Sequence, residues 1–190
     1  MRPAPGEVLH FSEDPTIERF APHVAPTSAE TTPYVWAVDA RSAPSYWFPR
    51  QCPRAMAWVR EGTTDADRDR IIGPGGGERV HAIEYTWWDA MRTTRLYAYR
   101  FAAEAFEPLA SPAAEPHAMV STEPVVPLGP PEPVGNLIDC HAAAGIQLRL
   151  LPNLWPFWDA VTAGTLGHSG IRLRNAAPRP EPDQSRYSTT

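Results

Sequence analysis

The stretch Val8-Leu9-His10-Phe11-Ser12-Glu13-Asp14-Pro15 decides how the chain is read. Val8 to Phe11 is apolar enough for a short strand. Asp14-Pro15 then forces a turn, because proline fixes its own φ and has no N–H for a ladder. The strand therefore delivers His10, and after it Ser12, Glu13 and Asp14, into a loop. No long helix follows: Thr16 to Phe20 makes at most one helical turn, and residues 22–33, rich in Pro, Thr and Ser, read as a loop.

The same short-strand grammar repeats along the chain. Tyr34 to Val38 is β-branched and aromatic, hence a strand. Asp39 can cap a short helix from Ala40 to Phe48, with Pro44 in its first turn and Tyr46, Trp47 and Phe48 at its end. Proline at both ends makes Pro49 to Arg54 a rigid turn, and Ala55 to Val59 the next strand. Residues 61–77 read as a loop. Arg79 to Ile83, Arg95 to Phe101, Ala118 to Ser121, Val125 to Leu128, Ile146 to Leu151 and Ile171 to Arg174 read as further strands. Thr86 caps a short helix to Thr93. Asn136 caps another to about Ala144, with Gly145 as its stop, and Asn153 caps a third to about Ala163. Many short strands with short helices between them make an α+β fold, expected as one compact domain over 8–175. Residues 1–7 are expected as a disordered leader and 176–190 as a disordered, proline-rich tail.

The totals narrow the function classes. The chain has 190 residues, 43% hydrophobic, with 22 acidic and 17 basic side chains, all of the latter arginine. The absence of lysine removes Schiff-base chemistry and a P-loop lysine. A net charge of −5 argues against a general nucleic-acid surface. No apolar run is long enough to span a membrane and no secretory h-region opens the chain, so a cytoplasmic protein is expected. Cys52 and Cys140 lack metal spacing and are expected as small buried groups. The 23 prolines favour short strands joined by fixed loops, and the seven tryptophans favour aromatic packing or an aromatic-lined pocket.

Most motifs lead nowhere. The glycine run at 73–77 lacks the Gly-Lys-Ser/Thr ending of a phosphate loop. Asp65, Asp67 and Asp69 lack the glycine and glutamate that complete a calcium loop. No two histidines stand at i, i+4, Ser169 in His168-Ser169-Gly170 reads as a turn residue, and a hydrolase built on Cys52 would need a histidine beside an exposed thiol. Four features remain. His10 either donates to a nearby carbonyl or acts on a ligand. Tyr46 and Trp47 are core or a cleft wall. Arg50 and Arg54 bracket a rigid turn suited to an anion or an ion pair. Glu123 is a solvated loop acid or a carboxylate aimed into a cleft.

From Leu9 to Asn175 the chain resembles an uncharacterised bacterial family of unknown function, through "LHFSEDPTIERFAPH", "VWAVDARSAPSYWFPRQCPR", "RLYAYRFAAEAFEP", "STEPVVPL" and "LWPFWDAVTAGTLGHSGIRLRN". The order of strand with histidine, strand with an aromatic-ended helix, and late glutamate is also similar to the ADP-ribosyltransferase-like fold, including tRNA 2′-phosphotransferases. That resemblance implies NAD as cofactor. His10 would contact its ribose, Tyr46 or Trp47 would stack on nicotinamide, and Glu123 would stabilise an oxocarbenium-like transition state. Ser12, Trp36, Arg50 and Arg54 complete the expected ligand contacts. Glu123 departs from that pattern in preceding a proline and lacking a Glu-x-Glu or Gln-x-Glu context. On this reading the protein is a nucleotide-binding transferase or pseudoenzyme with a small-molecule or nucleotide ligand. The competing reading is a non-enzymatic interaction domain with an aromatic-rich surface.

Overall fold

The structure, a computed structural model, describes residues 1–24, 31–109 and 118–180. In chain order its elements are β1 (Glu7–Ser12), β2 (Val35–Ala37), β3 (Arg54–Trp58), α1 (Asp65–Ile71), β4 (Arg79–Glu84), α2 (Trp88–Thr93), β5 (Tyr97–Ala102), β6 (Glu107–Pro108), β7 (Met119–Ser121), β8 (Glu132–Pro133), α3 (Leu137–Ala143), β9 (Gln147–Leu151), α4 (Trp155–Thr162) and β10 (Gly167–Ile171). The fold is α+β, as the mixture of short strands and short helices requires. The chain falls into two contact units, each assembled from separated segments: 1–50 with 89–145, and 51–88 with 146–190.

In the first unit β5 is central, with β1 and β8 antiparallel on either side. Arg100 ties the three strands together. Its guanidinium donates to Glu7 of β1 at 2.7 Å and to Glu132 of β8 at 2.6 Å. Both carboxyls are held below the usual carboxylate range, Glu132 chiefly by Arg100 and Glu7 by the Ala4 N–H and then by Arg100. A second sheet runs β2-β7-β6, all antiparallel. Alternation along β1 and β5 sends Val8, Tyr99 and Phe101 into a core shared with Val35, Ala37, Phe106 and Val125. Phe20 joins that core with its ring edge-on to Tyr99 and Phe101 at 5.0 and 5.1 Å. This corrects the helical turn expected over Thr16 to Phe20. The segment is instead irregular and pinned at its end, where Phe20 exchanges backbone hydrogen bonds with Val125, both at 2.9 Å. The strand expected at Val125 to Leu128 reduces to that single bridge. Burying the Phe20 ring outweighs any local helix preference, by about 2 kcal/mol for an aromatic of this size.

The helix expected over Ala40 to Phe48 contracts to a 3-10 turn at Ala43–Tyr46. Asp39 still receives the chain, accepting from the Ser42 N–H at 2.7 Å. At α3 the expectation holds. Asn136 accepts from the N–H groups of Ile138 and Asp139, and Gly145 stops the helix at φ 66°, a conformation that costs glycine nothing.

The second unit is one sheet in the order β10-β3-β4-β9, with β9 parallel to β4. Between those two strands the chain runs through residues 89–145 of the first unit. The loop expected at 61–77 contains α1. Thr64 caps it by accepting from the Asp67 N–H, and Asp65 and Asp67 lie in the first turn, where carboxylates favour a helix N-terminus. Its end buries Ile71, and Ile72 after it, against Ala57, Val80, Val161 and Leu166. Asp67 also accepts from Arg70 at 2.7 Å and from the N–H and hydroxyl of Thr165, and these bonds hold its pKa down to about 2. The last strand starts earlier than expected, at Gly167, so Ser169 is a strand residue opposite Met56 and not a turn residue. Residues 176–180 are tied to this unit. The buried Glu84 carboxylate accepts from the N–H groups of Leu154 and Ala177, and the Trp155 indole donates to the Ala177 carbonyl at 2.7 Å.

Candidate functional site

The reading of His10 turns on its neighbour Trp36. Reciprocal bonds between Leu9 and Val38, at 2.9 and 2.8 Å, lay β2 against β1. That brings the Trp36 carbonyl to 2.7 Å from His10 Nδ1. A carbonyl only accepts, so Nδ1 carries the proton and Nε2 is left as a bare acceptor. Nε2 has no hydrogen-bond partner among the described residues. Burial pushes the His10 pKa below the ordinary histidine value; the bond to Trp36 opposes that shift, and the charges of Arg50 and His23 reinforce it. The ring is therefore neutral near pH 7 and packs on Phe20, centroids 4.8 Å apart. Trp36 brings an opposite feature: its indole N–H is buried and donates to nothing in the described structure. Such an orphan costs about 1–3 kcal/mol.

The loop after β1 is built by its own polar groups. Ser12 is buried and accepts from the Asp14 N–H at 3.1 Å. Asp14 accepts from the hydroxyl and N–H of Thr16, which lower its pKa, and its carbonyl accepts from the Tyr99 hydroxyl at 2.7 Å. Glu13 accepts from the Arg50 N–H at 2.7 Å, so Arg50 is anchored to this loop by its backbone while its side chain is exposed. Glu123 follows β7. The Ser121 hydroxyl closes its turn, accepting from the Glu123 N–H and donating to the Glu123 carbonyl. Its side chain is exposed. The β2–β7 register sets Trp36 opposite Val120, and Phe20 pairs with Val125. Glu123 thus sits between two residues that pair with the two that touch the His10 ring.

The remaining expected residues lie elsewhere. Tyr46 ends the 3-10 turn and is half-buried. Trp47 is only 2% exposed, edge-on to His141 at 5.8 Å, and its indole N–H is also buried without a partner. It forms part of the wall of a pocket of about 680 Å³, with Val134, Arg2 and one face of α3 carrying Asn136, Asp139, Cys140, Ala143 and Ala144. His10 and Glu123 do not line that pocket. Arg54 belongs to the second unit, where it is buried and donates to the Cys52 carbonyl at 3.0 Å. Cys52 is sealed, and burial pushes its thiol up to about 12, which removes it as a nucleophile.

Two contributors escaped the sequence reading. His23 reaches the His10 corner because its backbone pairs with Tyr34, and nothing local marks it. The pocket face of α3 was legible, since positions 136, 139, 140, 143 and 144 share one helical stripe. Among the described residues no cluster of three His, Cys, Asp or Glu side chains could hold a metal, and no helix is long and apolar enough to cross a membrane. His117 lies outside the described residues.

Residues 9–176 match the model of a family of unknown function, DUF6886. The chain belongs to this family. No curated protein and no solved structure matches it. The resemblance to ADP-ribosyltransferase-like proteins is therefore unconfirmed at the level of the fold. In this DUF6886 member His10, Ser12, Trp36, Glu123 and Phe20 all fall inside the matched region. So does the whole of the α3 pocket face.

Proposed function

We propose that the His10 corner of the first unit binds a ribose-bearing nucleotide, with NAD the expected ligand. One observation carries the reading: the Nδ1 proton of His10 is committed to the Trp36 carbonyl, so Nε2 is a fixed, neutral acceptor of the kind a ribose hydroxyl requires. The surrounding groups suit the rest of such a ligand. The exposed Arg50 guanidinium complements phosphate oxygens. The exposed Glu123 carboxylate suits positive charge developing at a ribose C1′ when a base departs with its bonding pair. The chemistry of this donor and acceptor set fits a nucleotide, and NAD would supply a cleavable glycosidic bond. The rival reading rests on exposed aromatic surface, of which Tyr85, 59% exposed, is the one strongly exposed ring among the described residues, the seven tryptophans being buried or half-buried.

Isothermal titration of the full chain with NAD and ADP-ribose tests the reading. Saturable binding is expected, weakened about tenfold by His10→Ala, which removes one charge-free hydrogen bond. Glu123→Gln is expected to keep that binding while abolishing release of nicotinamide. Absence of heat with NAD, with ADP-ribose and with a 2′-phosphorylated RNA would end the proposal.

A further inference from the structure

The second unit holds a stretch of its own chain in the way a receptor holds a peptide. The stretch is Ala177-Pro178-Arg179, and four side chains read it in order. The buried Glu84 carboxylate accepts from the Ala177 N–H with both oxygens, at 3.1 and 3.0 Å. The Trp155 indole donates to the carbonyl of the same residue at 2.7 Å. The Asn153 amide donates to the Pro178 carbonyl at 2.9 Å. Asp159, one turn after Trp155 on α4, accepts from the Arg179 guanidinium at 3.0 and 2.8 Å, and that guanidinium lies 4.2 Å from the centroid of the Trp155 ring. Ala177 and Arg179 each precede a proline, which biases both toward extended backbone and lowers the entropy lost on docking.

The groove is organised by bonds that the docked stretch does not make. Asn153 accepts from the Trp155 N–H at 2.9 Å, and Glu84 also accepts from the Leu154 N–H at 3.1 Å. The family match ends at residue 176, so all four groove residues lie inside it and the stretch they hold begins just past it. Pro178 and Arg179 are exposed and Ala177 is half-buried. Main-chain hydrogen bonds, a surface ion pair and a cation–π contact hold them, with little buried apolar surface. A segment held in this way opens at low free energy.

We propose that Glu84, Asn153, Trp155 and Asp159 form a recognition groove for an extended Ala-Pro-Arg segment of a partner protein, and that residues 177–179 occupy this groove in cis. Glu84 requires a backbone N–H at the first position, which excludes proline there. The second position is asked only for its carbonyl, which proline supplies. The third meets an aromatic face and a carboxylate together, which suits the planar guanidinium of arginine better than an ammonium. The tethered segment competes with the partner at an effective concentration of about millimolar, so the groove is masked until that segment is displaced.

The test opens the groove within the full chain and offers it the segment in trans. Ala177→Pro removes the N–H that Glu84 binds. Ala176, at φ −69° and ψ 159°, already has the backbone that precedes a proline. Arg179→Ala removes the cation. The probe is a fluorescein-labelled synthetic peptide of residues 175–180, acetylated and amidated, followed by anisotropy. Saturable binding to the doubly substituted chain is expected, about tenfold tighter than to the native chain, whose own segment competes. A peptide carrying Arg179→Ala is expected to bind about tenfold more weakly, and one carrying Ala177→Pro not at all. The proposal is overturned if the peptide fails to bind the opened chain, binds the native chain as tightly, or tolerates proline at the first position. It is overturned equally if the doubly substituted chain shows no cooperative urea transition, since the segment is then a fixed part of the fold. A stable dimer between the opened and native chains would also overturn it, by making a second copy the partner.

Discussion

In the second unit the Glu84 carboxylate is buried and accepts from the N–H groups of Leu154 and Ala177. In the first unit the Trp36 indole N–H is buried and donates to nothing. The contrast extends beyond that pair. Trp155, in the second unit, donates its indole N–H to Ala177, Arg149 donates to the carbonyls of Ile71 and Ile72, and Arg79 donates to the fully buried His81 at 2.8 Å. The two buried side-chain donors left unsatisfied among the described residues, on Trp36 and Trp47, both belong to the first unit, as does the bare Nε2 of His10. A polar group that is buried and fully bonded stabilises a fold. One that is buried and unbonded costs stability, and such sites concentrate where a ligand completes the structure. The second unit therefore reads as scaffold, while the unsatisfied donors among the described residues lie in the first, where the proposed nucleotide site is.

The sharpest way to break this comparison is to remove a satisfied group. Glu84→Ala leaves the Leu154 and Ala177 N–H groups buried without an acceptor and is expected to cost about 3 kcal/mol in a urea unfolding experiment. A loss below 1 kcal/mol would mean that the scaffold reading of this unit is wrong. Trp155→Phe deletes the bond to Ala177 and the cation–π contact with Arg179, whose guanidinium lies 4.2 Å from the ring centroid, and is expected to cost about 1 kcal/mol.

The next effect is one of pH. The folded Asp67 has its pKa held down to about 2 against an ordinary 3.8, so it binds fewer protons folded than unfolded. Its contribution is present above the unfolded value and is lost as the pH falls through the folded one. The stability of the native chain should therefore decline between about pH 4 and pH 2 more steeply than that of Asp67→Asn. Parallel urea midpoints across that window check this, and identical slopes would rule it out.

The smallest change is the most informative. Trp36→Phe removes an N–H that has no partner, so it is expected to leave stability within about 0.5 kcal/mol of the native chain, or to raise it. Set beside Trp155→Phe, the same chemical substitution should destabilise the chain when made in the second unit and spare it when made in the first. Equal losses at both positions would erase the distinction between them.

Much of this was legible along the chain, because it is local. The strand around His10, the Asn136 cap and the Gly145 stop depend on residues within a turn of one another. The helix α1 has a local signal too: Thr64-Asp65-Ala66-Asp67 is a capping signature, masked by the glycine run that follows it. The bare Nε2 of His10 is different. The sequence allows His10 to donate to a nearby carbonyl, but no sequence pattern names Trp36, 26 positions away, as the owner of that carbonyl. Thr16 to Phe20 and Val125 to Leu128 show the same limit. A lone bridge between distant segments decided their conformation, and local propensity contributes less than the burial of one aromatic ring.

The sequence by itself determined that this is an α+β chain of short elements, rich in proline, without lysine chemistry, and a member of its family through motifs that span nearly its whole length. Only the tertiary structure decided which polar groups are satisfied. Hydrogen-bond partners come from segments far apart in the chain, whereas caps, turns and hydrophobic alternation are written within a few residues. That is why the sequence sets His10 on a short strand ahead of a polar loop, while the state of its ring, neutral with Nε2 open, follows only from where β2 places the Trp36 carbonyl.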